Sequence, residues 1–349
     1  MARREDLRLA DWLASVETNA GAAVSFIDPS GLSVTRRLNG GSEAVFSLEA
    51  RDPKVGDLAI ASRAIAIYRN GVIRIRGRIW EPLVYKPDSV RVEVKDPWFN
   101  LEHRRVRTTT RYTATDAGTI AWGLINDQNT IATTRIRQGA ISASVNHDRT
   151  YERGKPVAEA IKQLSEVING FWFRIDPVDG VPGTHGELVV LYPSSGTTRA
   201  GVKLEYGEDT IANIEDYEVD VFLPRNRVTV TGALLEGETE TTATATNAAS
   251  ITTYDLFDEE MAFTTIETPG VLQEHADDEV RANPVKTYSI TFGQSAPMLW
   301  DDFDVGDVLS FYIKNGEFKE SGTARVVEAS VEVTSEGSER VKSLVIQPE

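Results

Sequence analysis

A mainly β fold with an α+β insert is predicted by three observations. Residues 44–94 hold a succession of segments that alternate apolar and polar positions, which is the period of a strand with one buried face. Between about 106 and 205 that period gives way to helical spacing, and from Ile211 the strand pattern returns. The chain therefore divides into a first β unit over 1–105, an α+β module over 106–205 and a second β unit over 206–349.

The first unit is clearest where Ala64-Ile65-Ala66-Ile67-Tyr68 and Val72-Ile73-Arg74-Ile75 flank Asn70-Gly71. A two-residue type I′ turn needs positive φ at both central positions, and Asn-Gly supplies it at low cost. Ile73, Ile75, Ile79 and Trp80 carry more apolar mass than one hairpin hides, so further strands must close over them. Leu7 and Leu9, Val24-Ser25-Phe26-Ile27, Leu32-Ser33-Val34, Ala44–Leu48 and Val90–Val94 supply those strands, with Asn39-Gly40-Gly41 as a second tight turn. The expected form is a small, highly twisted antiparallel barrel.

In the module, Asp116 caps a helix bearing Ile120, Leu124 and Ile125 on one face. A second helix starts at Pro156, carries Val157, Ile161, Leu164 and Ile168 at helical spacing, and stops at Gly170. Two strands follow, Phe171–Ile175 and Glu187–Tyr192. The second β unit runs from Asn213 through Arg227–Thr231 to a helix begun by Thr268-Pro269, with Leu272, Ala276 and Val280 on one side. Strands at Tyr288–Phe292, Val308–Ile313, Ala324–Glu328, Val331–Thr334 and Val341–Ile346 complete it, with Asn315-Gly316 as a hairpin turn. Residues 236–253, rich in Thr, Ala and Glu, hold almost no large apolar side chain and are expected as a mobile loop or protruding ribbon.

Composition narrows function. The 349 residues are 41% hydrophobic and 26% charged, ordinary for a soluble folded protein, and 349 exceeds what one core usually serves. A formal charge of −16 argues against gripping phosphate backbones. The absence of cysteine removes disulfides, thiolate metal sites and Cys nucleophiles. The charged start Met1-Ala2-Arg3-Arg4-Glu5-Asp6 leads into no apolar signal region, and no run long enough to cross a membrane as a helix occurs. The expected setting is a reducing compartment.

No catalytic constellation stands out. His103, His147, His185 and His275 lie far apart, without ligand spacing, and are expected at solvated loop or rim positions. Asp301, Asp302, Asp304 and Asp307 look like a calcium loop, but the glycine is misplaced and Ile313 stands where the bidentate glutamate belongs; a polar turn entering a strand is preferred. Gly293-Gln294-Ser295-Ala296-Pro297 lacks the second glycine of a nucleophile elbow. Glu215-Asp216 and Glu259-Glu260 carry no weight in so acidic a chain, and no phosphate-binding Gly-Lys loop is present. Neither a cofactor nor a metal is expected. Arg104, Arg105, Arg107 and Arg111 form the one basic run; with only Tyr112 as a nearby aromatic, a subunit boundary that pairs acidic partners is preferred over nucleic acid. Trp172 and Trp300 are expected in the core rather than at an interface.

Taken in order, several stretches resemble the tail-hub proteins of tailed bacteriophages, the family of contractile-phage baseplate hubs and siphophage minor tail (tail-tip) proteins. They are Arg37-Leu38-Asn39 before Phe46-Ser47-Leu48, Tyr68-Arg69-Asn70-Gly71 followed by Gly77-Arg78-Ile79, and Val92-Glu93-Val94-Lys95-Asp96 ahead of Leu101 and Arg104. The helix from Ala158 into Phe171–Ile175, Asn226–Gly232, the helix from Leu272 before Pro284, and Val305-Gly306-Asp307-Val308 continue the series. The resemblance implies two barrel-like domains per subunit and a homotrimer whose six barrels make a ring extending the tail tube, through which DNA passes on ejection without specific binding. It also implies neighbours among the distal tail, tail tube, tape measure and other minor tail proteins, and a place at the virion's tail tip after assembly in the host cytoplasm. The chain ends at Glu349 without a lysozyme or peptidase domain, so a wall-cutting role lacks support. Two other readings stay open: a tail-tip module that binds a host-surface glycan through residues 236–253 or the α+β insert, and a cell-wall hydrolase.

Overall fold

The computed structural model describes residues 11–58, 63–80, 83–167, 170–193, 196–207, 214–232, 241–262, 269–292, 300–333 and 338–348. Leu7, Leu9, Ile168, Ile211, Asn213, Thr268 and the segment 293–297 lie outside the described residues. The fold is mainly β, with several sheets that are largely antiparallel.

The N-terminal part contains β1 (Trp12–Glu17), β2 (Ala23–Ile27), β3 (Ser30–Arg37), β4 (Glu43–Glu49), a single helical turn α1 (Val55–Leu58), β5 (Ala64–Arg69), β6 (Val72–Ile79), β7 (Val84–Tyr85) and β8 (Ser89–Lys95). The Asn70-Gly71 turn takes the expected shape, with φ of 51° and 75°, and sets Arg69 opposite Val72. Glycine is obligatory at Gly77. There β6 leaves its partner β5 and joins β8, and a Cβ would stand 1.9 Å from the Lys95 carbonyl oxygen. Ile75 is buried, whereas Trp80 stays partly exposed and stacks on His103 with ring centroids 5.3 Å apart.

The middle holds α2 (Trp98–Glu102), β9 (Thr110–Asp116), α3 (Ala117–Asn129), β10 (Ile136–Ile141), β11 (Asn146–Tyr151), α4 (Val157–Glu166), β12 (Trp172–Pro177) and β13 (Gly186–Leu191). Asp116 caps α3 by accepting from the Thr119 amide at 2.9 Å. Ile120, Leu124 and Ile125 of α3 pack with Val157, Ile161 and Leu164 of α4 over Phe171, Phe173 and Leu188 in a core of its own. β12 and β13 pair as expected, and β10 adds to β13 in parallel. The β9–β11 ribbon and β10 escape the pattern reading because Thr, Arg, Gln and Asn dominate them; β9 buries none of its residues, and β11 buries His147, Arg149 and Tyr151 rather than aliphatic side chains.

Next come β14 (Thr198–Tyr206), β15 (Ile214–Phe222), β16 (Arg227–Thr231), β17 (Thr242–Thr246), α5 (Ala248–Tyr254), β18 (Asp258–Ala262), α6 (Pro269–Glu279), β19 (Val285–Phe292), β20 (Val308–Asn315), β21 (Phe318–Val333) and β22 (Glu339–Pro348). Residues 242–254 are not a loop or a protruding ribbon: they form β17 and α5, while 233–240 fall outside the described residues. β17 pairs with β16, and its small Ala243 and Ala245 let α6 bring Leu272 and Ala276 close to Val228 and Val230. That third core needs shape complementarity more than bulk, which a search for large apolar residues misses. The strands expected at 324–328 and 331–334 are one continuous β21.

β21 is the seam of the molecule. It pairs with β20, with β22 and, through Val331 opposite Val34, with β3. Strands from both ends of the chain thereby join one 14-stranded sheet ordered β15-β19-β22-β21-β3-β4-β8-β6-β5-β1-β2, with β14 and β20 on one branch and β7 on another. Phe46, Ile67 and Val92 share a single core with Tyr288, Leu309 and Ile346. The buried Arg36 ties three regions together, donating to Asp176 of β12 at 2.6 Å and to Asp304, ahead of β20, at 3.0 Å.

Candidate assembly interface

Among the described residues, β2 and β15 end the sheet path with one partner strand each, and β7 and β14 are likewise paired on one side only. Open edges present unpaired amides and carbonyls, and an exposed apolar edge is a template for a further chain. On β2, Val24 and Phe26 are 41% and 53% exposed. On and just beyond β15, Val221, Phe222 and Leu223 are 50–56% exposed, following exposed Glu215, Asp216, Glu218 and Asp220. Val84 and Tyr85 of β7 are also exposed. The sequence signal for these edges is legible in retrospect: Val24-Ser25-Phe26-Ile27 and Val219-Asp220-Val221-Phe222-Leu223 place apolar residues on both faces of their strands.

The four arginines of the basic run do not converge. Arg104 follows α2 and donates to the Thr133 carbonyl at 3.3 Å; Arg105 donates to the Glu102 carbonyl at 3.0 Å; Arg107 is exposed in the connection to β9, and Arg111 lies exposed on β9. Among the described residues none of the four makes an ion pair.

Three of the four histidines are not at solvated positions. His147, His185 and His275 are buried, while His103 is exposed against Trp80. Each buried imidazole lies where one core meets another segment, a tertiary fact that local polarity does not reveal. His147 Nδ1 sits 3.4 Å from Asp278 Oδ2, and Arg149 also pairs with Asp278, so β11 of the middle core is bound to α6 of the third. Burial opposes the Asp278 charge, yet the hydrogen bonds from His147 and Arg149 outweigh it and hold the carboxyl below its usual range. A 220 Å³ cleft lined by Tyr151, Gln163, Leu164 and Glu279 opens beside this junction.

The aspartates 301–307 are dispersed into separate contacts. Asp301 pairs with Arg69 and Arg74, Asp304 with Arg36, and Asp307 with Arg199 at 2.6 Å while also accepting from the Thr197 amide. Among the described residues, no three His, Asp or Glu side chains come together as metal ligands. Trp172 is half-buried, with the Arg325 guanidinium 4.9 Å from its ring centre. No described helix is long and apolar enough to cross a membrane.

No family model matches the sequence, and no curated protein does. Solved structures do match over nearly the whole length. The tail protein from Neisseria meningitidis MC58 aligns over 97% of both chains with a TM-score of 0.57 at 13% identity. The 43 kDa tail protein of prophage MuSo2 from Shewanella oneidensis aligns over 96% of this chain and 98% of its own, with a TM-score of 0.56 and 13% identity. The chain has the fold of phage tail proteins. Prophage tail protein gp18 from Listeria monocytogenes EGD-e agrees, with a TM-score of 0.55 over 97% of this chain and 94% of its own at 9% identity. At such identities only the arrangement of strands and helices is shared, so the likeness is one of tail-protein architecture rather than of particular side chains.

Proposed function

We propose that this chain is a structural subunit of a phage tail, a hub that assembles with copies of itself into a trimeric ring continuing the tail tube. The observation that carries the reading is the end-to-end match to tail proteins, in which neither chain leaves a sizeable part unaligned. Sheet edges bearing Val24 and Phe26 at one end and Val221 and Phe222 at the other support it, since copies docked edge to edge would bury apolar surface and satisfy open strands together. The net charge of −16 suits a passage that DNA traverses without adhering. Exposed Arg105, Arg107 and Arg111 then pair with acidic side chains of a neighbouring chain, and other tail proteins cap the ring above and below.

Mass photometry across a concentration series, with labelling of the protein on intact virions, tests this. The expected result is a trimer, alone or within the tail tip, which Phe26→Asp shifts to monomer without changing the far-UV circular dichroism spectrum. A chain that stays monomeric and is absent from virions would end the proposal.

A further inference from the structure

Among the described residues, Arg78 and Arg135 are cations without a counter-charge. Arg78 Nη2 donates to Asn19 Oδ1 at 2.5 Å, and Arg135 Nη1 donates to the carbonyls of Asn19 and Gly183 at 3.3 and 3.1 Å. Every acceptor is neutral. Among the described residues no carboxylate pairs with either guanidinium. Arg78 Nε is buried with no acceptor, and Arg135 Nη2 and Nε likewise donate to none of the described residues.

The surroundings concentrate the charge. His185, 1% exposed, has an unpartnered Nε2 and receives the Arg135 backbone by donating its amide to the Arg135 carbonyl at 2.9 Å. Arg76 lies in the same group; it is matched by Glu17 at 2.6 Å, and its Nε too is buried without an acceptor. Two glycine turns make room for these side chains. A Cβ on Gly21 would meet Arg76 Nη2 at 2.8 Å, and one on Gly183 would meet Arg135 Nη1 at 3.3 Å, both at positive φ. Burial lowers the affinity of the Arg78 and Arg135 guanidiniums for their protons, and the neighbouring arginines lower that of Arg135 further. In a chain of net charge −16, so many paired carboxylates elsewhere make this bare pair conspicuous.

We propose that Arg78 and Arg135, held over the Asn19 turn beside His185, form a binding site for a small oxyanion, either a carboxylate or a tetrahedral phosphate or sulfate group. Planar guanidiniums with N–H groups to spare recognise such groups by paired, charge-assisted hydrogen bonds. The site does not depend on how copies of the chain assemble. A free phosphate and a carboxylate from an adjoining protein share this chemistry, and small-anion probes separate them.

The test is thermal unfolding of the full-length protein in sodium chloride, sulfate, phosphate or acetate at matched ionic strength, for wild type, Arg78→Gln, Arg135→Gln and the exposed control Arg51→Gln. Salting effects on burial are common to all four proteins, so the difference between them reads the site. Wild type and Arg51→Gln are expected to show a saturable stabilisation that Arg78→Gln and Arg135→Gln lack, with sulfate or phosphate affinity about tenfold weaker or more in each. In chloride alone Arg135→Gln should unfold at the same temperature as wild type or higher, because it removes an unmatched charge; a variant that simply misfolds does the opposite. Stronger response to acetate than to sulfate assigns the site to a carboxylate, and the reverse assigns it to a tetrahedral anion. Sulfate, phosphate and acetate responses that all stay unchanged in Arg135→Gln, or a wild type that answers all four salts alike, overturn the proposal.

Discussion

Asn39 and Phe173 hold each other by hydrogen bonds in both directions: the Asn39 amide donates to the Phe173 carbonyl at 2.8 Å, and the Phe173 amide donates to Asn39 Oδ1 at 2.9 Å. The β3–β4 turn thereby grips the first residues of β12, and Asn39 does so with φ at 53°. Two substitutions separate the contributions. Asn39→Gly keeps the backbone shape and loses the side-chain acceptor, at a cost of about 1–3 kcal/mol for the stranded amide. Asn39→Ala should cost about 1–2 kcal/mol more, because a Cβ resists the left-handed conformation. Urea unfolding midpoints measure both, and equal midpoints for the two variants would contradict the account.

Gly77→Ala is expected to be among the most damaging single-methyl changes in the molecule. The added carbon meets backbone at 1.9 Å on the Lys95 carbonyl, and backbone in the middle of a sheet cannot step aside. A loss of about 3 kcal/mol or more is expected, seen as a fall in soluble yield and in unfolding midpoint. Gly71→Ala, at an open turn, should be milder and reflect its positive φ alone.

The junction between the middle and third cores depends on Arg149 and Asp278, whose side chains are 4% and 20% exposed. Arg149→Met or Asp278→Asn strands the partner charge and should cost about 3–5 kcal/mol. The double replacement Arg149→Met with Asp278→Asn should cost less than the sum of the two, because neither charge is then left behind. Chemical denaturation of the four proteins closes the cycle.

Acid should loosen the protein through its buried imidazoles. Burial together with Arg76, Arg135 and Arg78 pushes His185 down to about 3, and burial with Arg149 beside it pushes His275 down to about 3. Between about pH 6.5 and 3 the unfolded chain therefore takes up protons that the folded chain refuses. Their stabilisation is complete above about pH 6.5 and drains away as pH falls, by at most about 1.4 kcal/mol per pH unit for each histidine. His185→Gln should flatten the difference between unfolding free energies at pH 7 and pH 4.5; a slope equal to that of wild type would refute this.

Much of the architecture was readable where one face of an element is buried and the other is wet. Asn70-Gly71, the Asp116 cap, the α4 stripe and the Leu272–Ala276 face of α6 all come through local pattern alone. β9 and β11 escape local pattern because β9 buries none of its residues and the buried face of β11 is His147, Arg149 and Tyr151, which print no apolar alternation. β17 was missed because its inward alanines are small. The histidines were misplaced because burial at a junction depends on a neighbour far away in sequence. The Arg78–Arg135 pair is invisible for the same reason, since an unmatched charge is defined by what fails to lie beside it, whereas the exposed edges leave a trace in strands that are apolar on both faces.

The pairing of β3 with β21 sets a schedule. Thr35 and Ser330 touch at 3.2 Å although 295 positions apart in the chain, so β3 emerges from the ribosome long before the strand that covers it. At ordinary elongation speeds the wait is on the order of tens of seconds. During that interval one flank of β3 stays bare, and closing it means bringing distant parts of the chain together, which is slow. Nascent chains therefore need shelter or dilution during that wait, and translation itself delays the moment at which the sheet can close.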